Sequence, residues 1–193
     1  MKLKKFNFKI VNSTNDLAIK IIKNTNNKSG IVIAEKQKKG RGQYGKKWTS
    51  FKGNLFVSIF FQTNMVQLSL KDFTKVNCHL VKKLLSNFYK DKIIIKKPND
   101  LLINNMKISG ILQETLSKSD ETFIIVGIGI NLVKSPVIKD YLTTNLFDLT
   151  GVKITPNNVA SKLKKIYETF IPMFSKFNIK NLDRNLKWLL LVI

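Results

Sequence analysis

Hydrophobic positions along this chain follow two periods, and each period predicts one kind of secondary structure. Short runs rich in β-branched and aromatic residues predict strands, and they fall at 6–11, 30–37, 54–62, 91–97, 100–104, 106–116 and 121–133. Apolar residues at helical spacing predict three helices. One follows the polar cap at 13–16, one surrounds Cys78, and one opens at Pro156.

The order of these elements predicts an α+β fold. One helix falls among the early strands, a block of strands follows, and a helix comes after them, so strict β–α–β alternation is absent. We therefore expect a mixed, largely antiparallel sheet flanked by helices. Asn104 and Asn105 predict a tight turn between two strands. The almost wholly apolar run 121–133 predicts a central strand.

Composition narrows the chemistry that the chain supports. Its 193 residues include one cysteine, Cys78, and one histidine, His79. This excludes an internal disulfide and a redox cysteine pair, and it disfavours a histidine-based triad. Both residues lie in a predicted amphipathic helix, which favours a structural role. There is no secretory signal and no run near the ~18 apolar residues of a membrane span, so we expect a cytoplasmic protein without a membrane partner.

The net charge of +22 is typical of a protein that binds a polyanion. However, the lysines are scattered over every segment, and the abundance of Asn and Ile indicates A/T-rich codons, which raise charge without a binding role. Of the 34 basic residues, only Arg41 and Arg184 are arginine. Arg41 is therefore notable, because a guanidinium can bind an anion through two parallel hydrogen bonds.

Arg41 lies in the segment GRGQYGKKW, residues 40–48, which we name the glycine loop. Its three glycines free the backbone to approach a ligand and to present N–H groups, while Arg41 adds a fixed positive charge. The spacing matches neither a Walker loop nor a dinucleotide GxGxxG motif. The alternative interpretation is a solvated surface turn.

Three more segments bring polar groups to the ends of predicted elements. STN at 13–15 begins a helix, and its alternative interpretation is a plain N-cap. In KKPNDLLINNMKISG, 96–110, strand pairing returns Lys107 towards the PND end, although the alternative is a hairpin with incidental charge. In GIGIN, 127–131, glycines in a central strand predict close approach of a ligand or another backbone, against the alternative of sheet packing.

Taken in order, these segments resemble the catalytic domain of the biotin–protein ligase family, the biotin–[acetyl-CoA-carboxylase] ligases. The family pattern is STN, a GRGRxGRxW loop followed by GNL, KWPND, a lysine followed by GIL, and GIGIN. This chain has STN at 13–15, GRGQYGKKW at 40–48, GNLFVSIFF at 53–61, KKPND at 96–100, KISGILQE at 107–114 and GIGINL at 127–132. The resemblance implies a catalytic domain over residues 1–180 with a core like that of class II aminoacyl-tRNA synthetases.

The resemblance also implies a two-step reaction. Members of the family join biotin to ATP, with Mg²⁺, to give biotinyl-5′-adenylate and pyrophosphate. They then transfer biotin to a lysine of a carrier domain, here expected to be the biotin carboxyl carrier protein of acetyl-CoA carboxylase. Both steps develop negative charge at a phosphate and a carboxyl carbon, so catalysis should rest on positioning and electrostatic stabilisation.

The resemblance assigns roles to individual residues. Arg41 and Lys107 are implied to be catalytic, Arg41 at the adenylate phosphate and Lys107 at the biotin carboxylate. The residues implied to bind biotin are Ser13, Thr14, Asn15, Gln37, Arg41, Gly42, Gln43, Lys107 and Gly110. The residues implied to face the nucleotide are Lys46, Trp48, Asn99, Asp100 and Asn131, with Trp48 mainly a packing anchor. No metal site is expected in the protein itself, and Mg²⁺ would enter with ATP near Asp100.

The sequence departs from the family pattern in the glycine loop, in the KKPND segment and at the C-terminal end of the chain. Gln43 and Lys46 replace arginines, which we expect to weaken retention of the adenylate, and Lys97 replaces the tryptophan of KWPND. Family members continue into a C-terminal β-barrel, whereas residues 181–193 read as an apolar tail, consistent with a truncated reading frame. No helix-turn-helix precedes the domain, so we expect no DNA-binding repressor role.

Three alternatives to an active biotin ligase remain open. A truncated or degenerate ligase would bind biotin without full activity. A lipoate- or octanoate-attaching relative would share the fold, although the glycine loop resembles that of the biotin enzymes. A basic polyanion-binding protein would use the charge, although interleaved aromatics with clustered arginines are absent. Because family members often pair through sheet edges, a homodimer is a further expectation.

Overall fold

The computed structural model describes residues 1–63 and 69–174 of the chain. Within these ranges the elements are β1 (Lys4–Val11), α1 (Thr14–Asn24), β2 (Ser29–Gln37), β3 (Leu55–Thr63), α2 (Leu70–Leu85), β4 (Ile93–Lys96), β5 (Asp100–Ile103), β6 (Met106–Lys118), β7 (Glu121–Ile130), α3 (Leu146–Thr150) and α4 (Pro156–Phe174). A single 3-10 turn, Gln43–Gly45, lies in the glycine loop. The apolar tail predicted at 181–193 lies outside the described residues.

All seven described strands form one sheet in the order β1-β2-β3-β7-β6-β5-β4. Only β1 and β2 pair in parallel, and every other described pair is antiparallel. The prediction of a mixed, largely antiparallel sheet is therefore confirmed. So is the central place of β7, the most continuously apolar strand. The predicted turn between β5 and β6 is also confirmed, because Asn104 and Asn105 have φ of 50° and 62°.

Helices cover both faces of the sheet. On one face, Ala18 and Ile22 of α1 pack against Val32 of β2 and Phe60 of β3. The larger core on the other face joins α2 and α4 to the sheet, and Ile59 of β3 belongs to it. Strands buried on both faces read as near-continuous apolar runs, which is why the hydrophobic pattern of β3 and β7 is not alternating.

The helix around Cys78 is α2, and the residue is part of the larger core as expected. Burial, together with the charge of Asp100, raises the pKa of the Cys78 thiol to about 12. His79, on the same helix, is half-buried. The thiol is therefore protonated near neutral pH, which supports a structural role. No helix among the described residues is long and apolar enough to cross a membrane.

Two helices follow the sheet, of which the sequence predicts only one. Pro156 begins α4, where a proline costs no hydrogen bond and its fixed φ suits the helix. The five-residue α3 was not predicted, because it is too short to show helical periodicity. Its N-cap is Asn145, whose side chain accepts a hydrogen bond from the Asp148 N–H.

Candidate functional site

A cleft of about 310 Å³ lies where the start of α1, the glycine loop and the β4–β6 region meet. Every site residue predicted from the sequence lines this cleft except Asn131. The lining residues that were predicted are Ser13, Thr14, Asn15, Gln37, Arg41, Gly42, Gln43, Lys46, Trp48, Asn99, Asp100, Lys107 and Gly110. Segments up to about one hundred residues apart in sequence therefore meet at one place, as the strand order requires.

Two glycines on neighbouring strands hold the indole of Trp48. Gly110 of β6 and Gly129 of β7 are directly paired in the sheet. A Cβ atom at Gly129 would lie 2.3 Å from Cε2 of Trp48, and one at Gly110 would lie 2.8 Å from its Cζ3. Because neither glycine has a side chain, the indole ring of Trp48 can lie directly on the two strands. This contact fixes the end of the glycine loop to the sheet. This geometry agrees with the prediction that Trp48 is a packing anchor.

Gly127, two residues earlier in β7, makes a similar approach possible for Asn15. A Cβ atom at this glycine would lie 2.4 Å from Asn15 Oδ1. The close contacts predicted for the glycines of GIGIN are thus made by side chains of the same chain, and not by another backbone. The reason is that α1 and the glycine loop both lie over this part of β7.

A chain of hydrogen bonds fixes the polar start of α1. Ser13 is the N-cap of the helix, with its hydroxyl accepting from the Asp16 N–H. The Thr14 N–H donates to Gln37 Oε1 over 2.8 Å, so β2 and α1 are joined at this point. The hydroxyl of Ser58 lies 2.8 Å from that of Thr14 and 2.5 Å from Asn15 Oδ1. These buried side chains therefore hold one defined arrangement at the cleft wall.

Arg41 is paired with two carboxylates of the surrounding elements. Its Nη1 and Nη2 donate to Glu114 Oε1 and Oε2 over 3.0 and 2.9 Å, and Nη2 also donates to Asp16 Oδ1 over 2.6 Å. Hydrogen bonding to Glu114 outweighs the opposing effect of burial and raises the pKa of the Arg41 guanidinium. Asn15 Nδ2 donates to Glu114 Oε2 over 2.6 Å, so the pair is connected to the start of α1.

Lys107 lies between an acid and two aromatic rings. Its Nζ is 2.8 Å from Asp100 Oδ1, and the contact is an ion pair without the alignment of a hydrogen bond. The same Nζ is 5.5 Å from the ring centroid of Trp48 and 5.3 Å from that of Tyr141. The predicted return of Lys107 towards Asp100 is confirmed. Burial, followed by the charge of Asp100, raises the pKa of the Tyr141 hydroxyl.

Two predicted nucleotide residues use their side-chain amides within the protein. Asn99 Nδ2 donates to the Ile111 carbonyl over 2.7 Å, although Asn99 still lines the cleft. Asn131 is buried, and its Nδ2 donates to the Thr144 carbonyl over 3.0 Å. It lies at an adjoining cavity of about 20 Å³ that shares Trp48 with the cleft. A nucleotide contact of Asn131 stays a prediction.

Sequence reasoning missed four residues of this site: Asp16, Ser58, Glu114 and Tyr141. Ser58 had a signal, since its hydroxyl interrupts the apolar run of β3. Glu114 closes the KISGILQE segment, but nothing in its position predicted a contact with Arg41.

Within 1–63 and 69–174, no three His, Cys, Asp or Glu side chains are grouped to hold a metal ion. The charged lining residues are instead mostly cations, and they include Lys46, Lys47, Lys96, Lys97 and Lys107.

Comparison with known proteins agrees with the sequence motifs. The sequence model of the biotin/lipoate A/B protein ligase family matches residues 7–131. The chain is 30% identical to the bifunctional ligase/repressor BirA of Escherichia coli (strain K12) over 172 residues, 86% of this chain and 53% of that protein. It is 27% identical to a biotin–[acetyl-CoA-carboxylase] ligase of Mycobacterium tuberculosis (strain ATCC 25618 / H37Rv), over 77% of this chain and 56% of that protein.

Solved structures share the fold. A biotin protein ligase from Aquifex aeolicus in complex with biotin and ATP superposes with a TM-score of 0.77 at 26% identity, covering 95% of this chain and 76% of that chain. The resemblance to the biotin–protein ligase catalytic domain and to its class II synthetase-like core is thus confirmed. The chain spans about half the length of the curated relatives that it matches.

Proposed function

Because the chain belongs to the biotin/lipoate A/B protein ligase family, we propose that it is a biotin–protein ligase. It activates biotin with ATP and Mg²⁺ to biotinyl-5′-adenylate, releases pyrophosphate, and transfers the biotinyl group to a lysine of a carrier domain. We propose the biotin carboxyl carrier protein of acetyl-CoA carboxylase as the acceptor and the cytoplasm as the compartment in which the chain acts. Family membership does not by itself specify biotin, ATP and this carrier protein as the substrates, so these are the points that experiments must test.

The observation that most supports this proposal is the convergence of separate motifs on one cleft. STN, the glycine loop, PND and Lys107 all contribute to its lining, although they are spread over residues 13–107. Its volume of about 310 Å³ is within the range for a small-molecule site. The lining contains cations and amides rather than a cysteine or histidine nucleophile. Such a lining suits a reaction in which phosphate and carboxylate charges must be stabilised.

Within this proposal, biotin lies against the start of α1, and the adenylate lies towards Lys107. Thr14, Asn15 and Gln37 provide fixed donors and acceptors for a polar ring system. Lys107 supplies positive charge to the carboxylate and then to the acyl-phosphate, so its ion pair with Asp100 is exchanged for a contact with the ligand. We propose that Mg²⁺ enters as a co-substrate on the ATP phosphates, because Asp100 is the only carboxylate among the described lining residues and is already paired.

The test of the first step is biotin-dependent exchange of labelled pyrophosphate into ATP by the purified chain. Lys107→Ala should reduce the exchange rate by about 10²-fold or more, the scale seen when one preorganised charge-stabilising group is removed. Lys28→Ala is the matched control, since it also removes a lysine from an ion pair, with Glu121, but away from the cleft. Equal rates for Lys107→Ala and Lys28→Ala would refute the role of Lys107.

The same assay, together with calorimetry, separates two of the three alternatives. Exchange with lipoate or octanoate, and none with biotin, would assign the chain to another branch of its family. Biotin binding by calorimetry without exchange would indicate a degenerate ligase that retains its pocket. The acceptor is tested separately, by mass spectrometry of a carboxyl carrier domain after incubation with biotin, ATP and the chain.

A further inference from the structure

We propose that Glu114 and Asp16 are positioning residues that hold the glycine loop over the cleft through Arg41. In this view Arg41 contributes to the ligase mainly by holding the loop, and not as the cation that faces the phosphate. We name this contact the Arg41 latch, formed by Arg41, Glu114 and Asp16. The inference rests on the proposed function for its kinetic part, and on geometry alone for its conformational part.

The latch has the geometry of a strong ion pair. Two nitrogens of one guanidinium meet two oxygens of one carboxylate at 3.0 and 2.9 Å, which is the bidentate arrangement that fixes both partners. Asp16 adds a third contact from the first turn of α1. These three bonds use three of the five N–H donors of the Arg41 guanidinium, including both on Nη2, so a ligand phosphate would have to break a latch bond to reach Nη2.

The charge at this place also argues against a direct phosphate contact. One guanidinium and two carboxylates sum to +1 − 2 = −1, so the latch is net negative although the whole chain is +22. The cleft has other cations for an anion, because Lys46, Lys47, Lys96, Lys97 and Lys107 line it, and Asp100, paired with Lys107, is the one carboxylate among the described lining residues. An incoming phosphate is therefore attracted to the lysines and repelled by the latch.

Backbone hydrogen bonds close the loop on itself, and side chains join it to α1 and the sheet. Its internal bonds, from Gly42 N to the Lys46 carbonyl and from Trp48 N to the Gly40 carbonyl, close the loop on itself. Tyr44 at its tip is 92% exposed. Among the described residues, side chains that join the loop to α1, β6 and β7 include Arg41, through the latch, and Trp48, which packs on Gly110 and Gly129 and lies near Lys107.

A double-mutant cycle tests the inference, with Arg41→Ala, Glu114→Ala and the combined variant. The first readout is hydrogen exchange of the amides at 40–48 in the ligand-free protein. Each single variant should accelerate this exchange by about three- to tenfold, and the combined variant should exchange no faster than the faster single one. Glu114→Gln, which keeps the shape but loses the charge, should give a smaller increase than Glu114→Ala. Glu121→Ala removes a surface carboxylate from the pair with Lys28 and should leave the loop unchanged.

The second readout is the kinetics of biotin-dependent pyrophosphate exchange. Both single variants should raise KM for biotin by similar factors, with a smaller change in kcat, and their effects should not add. A fall in kcat that is specific to Arg41→Ala and adds fully to the effect of Glu114→Ala would overturn the proposal in favour of direct contact. Unchanged loop exchange in Glu114→Ala would overturn it as well. If the wild-type chain is inactive, the proposed function fails, but hydrogen exchange still tests the latch.

Discussion

Replacing Gly129 by alanine tests the packing of Trp48 on the sheet. The added Cβ atom would lie 2.3 Å from Trp48 Cε2 and 2.4 Å from its Cζ2. Ordinary contact begins at 3.4 Å, so the nearest ring atom must retreat by about 3.4 − 2.3 = 1.1 Å. Overpacking of this kind costs about 1–3 kcal/mol. The central strand is held on both sides, whereas Trp48 belongs to a loop with an exposed tip, so the ring should move.

We therefore expect the lower part of that range in stability. Gly129→Ala should lower the free energy of unfolding by about 1–2 kcal/mol, measured by urea denaturation with circular dichroism. Displacement of the ring should also shift Trp48 fluorescence to longer wavelength, measured in a Trp188→Phe background that removes the second tryptophan of the chain.

Two control variants isolate the contact. Gly42→Ala makes the same change in the glycine loop, where the nearest atom would be 3.3 Å away, and it should unfold nearly as the wild type does. In a Trp48→Ala background, Gly129→Ala should lose most of its cost, because no ring opposes the new methyl group. An unchanged unfolding free energy and emission in Gly129→Ala would refute this reasoning. The same cost with and without Trp48 would also refute it.

Two further predictions concern ionisable groups outside the cleft. Burial, and then the charge of Asp100, raise the pKa of the Cys78 thiol from 9.0 to about 12. Because only the thiolate reacts, a thiol reagent at pH 8 should label native protein about 10³-fold more slowly than urea-unfolded protein. Fast labelling of the native chain would contradict this. Burial opposes ionisation of Glu168, but hydrogen bonds from Lys164 and from the Leu3 N–H lower its pKa overall. This stabilisation is present above pH 4.5 and is lost as the pH falls through the lowered pKa, so Glu168→Gln should cost up to about 1 kcal/mol at pH 7 and progressively less as the pH falls below 4.5, measured by urea unfolding. A cost that does not change with pH would contradict it.

Much of the fold could be predicted from local patterns. Ser13 caps α1 and Pro156 begins α4 because capping depends on residues within one turn. Asn104 and Asn105 predict their own turn, since these residue types tolerate positive φ. The five residues of α3 gave no such signal. Its cap, Asn145, is formed by a single side chain in a polar stretch.

The cleft was predicted through motifs, but its internal contacts were not. Arg41 appeared in the sequence as a free cation for an anionic ligand, whereas the structure pairs it with Glu114, 73 residues further along the chain. Similarly, the glycines of GIGIN appeared as places of close approach and Gly110 as a biotin-binding residue, but only strand pairing brings Gly110 and Gly129 together under Trp48.

The sequence alone therefore determined most of the elements, the sheet class and many of the residues that line one cleft, because these follow from periodicity, capping and ordered motifs. The tertiary structure decided which of those residues are partners. A shift of one residue in the pairing of β6 with β7 would move Glu114 to the opposite face of the sheet and would separate Gly110 from Gly129. The strand register and the helix positions are set by the packing of the whole core. The ion pairing of Arg41 and the anchoring of the glycine loop therefore depend on contacts that no local pattern contains.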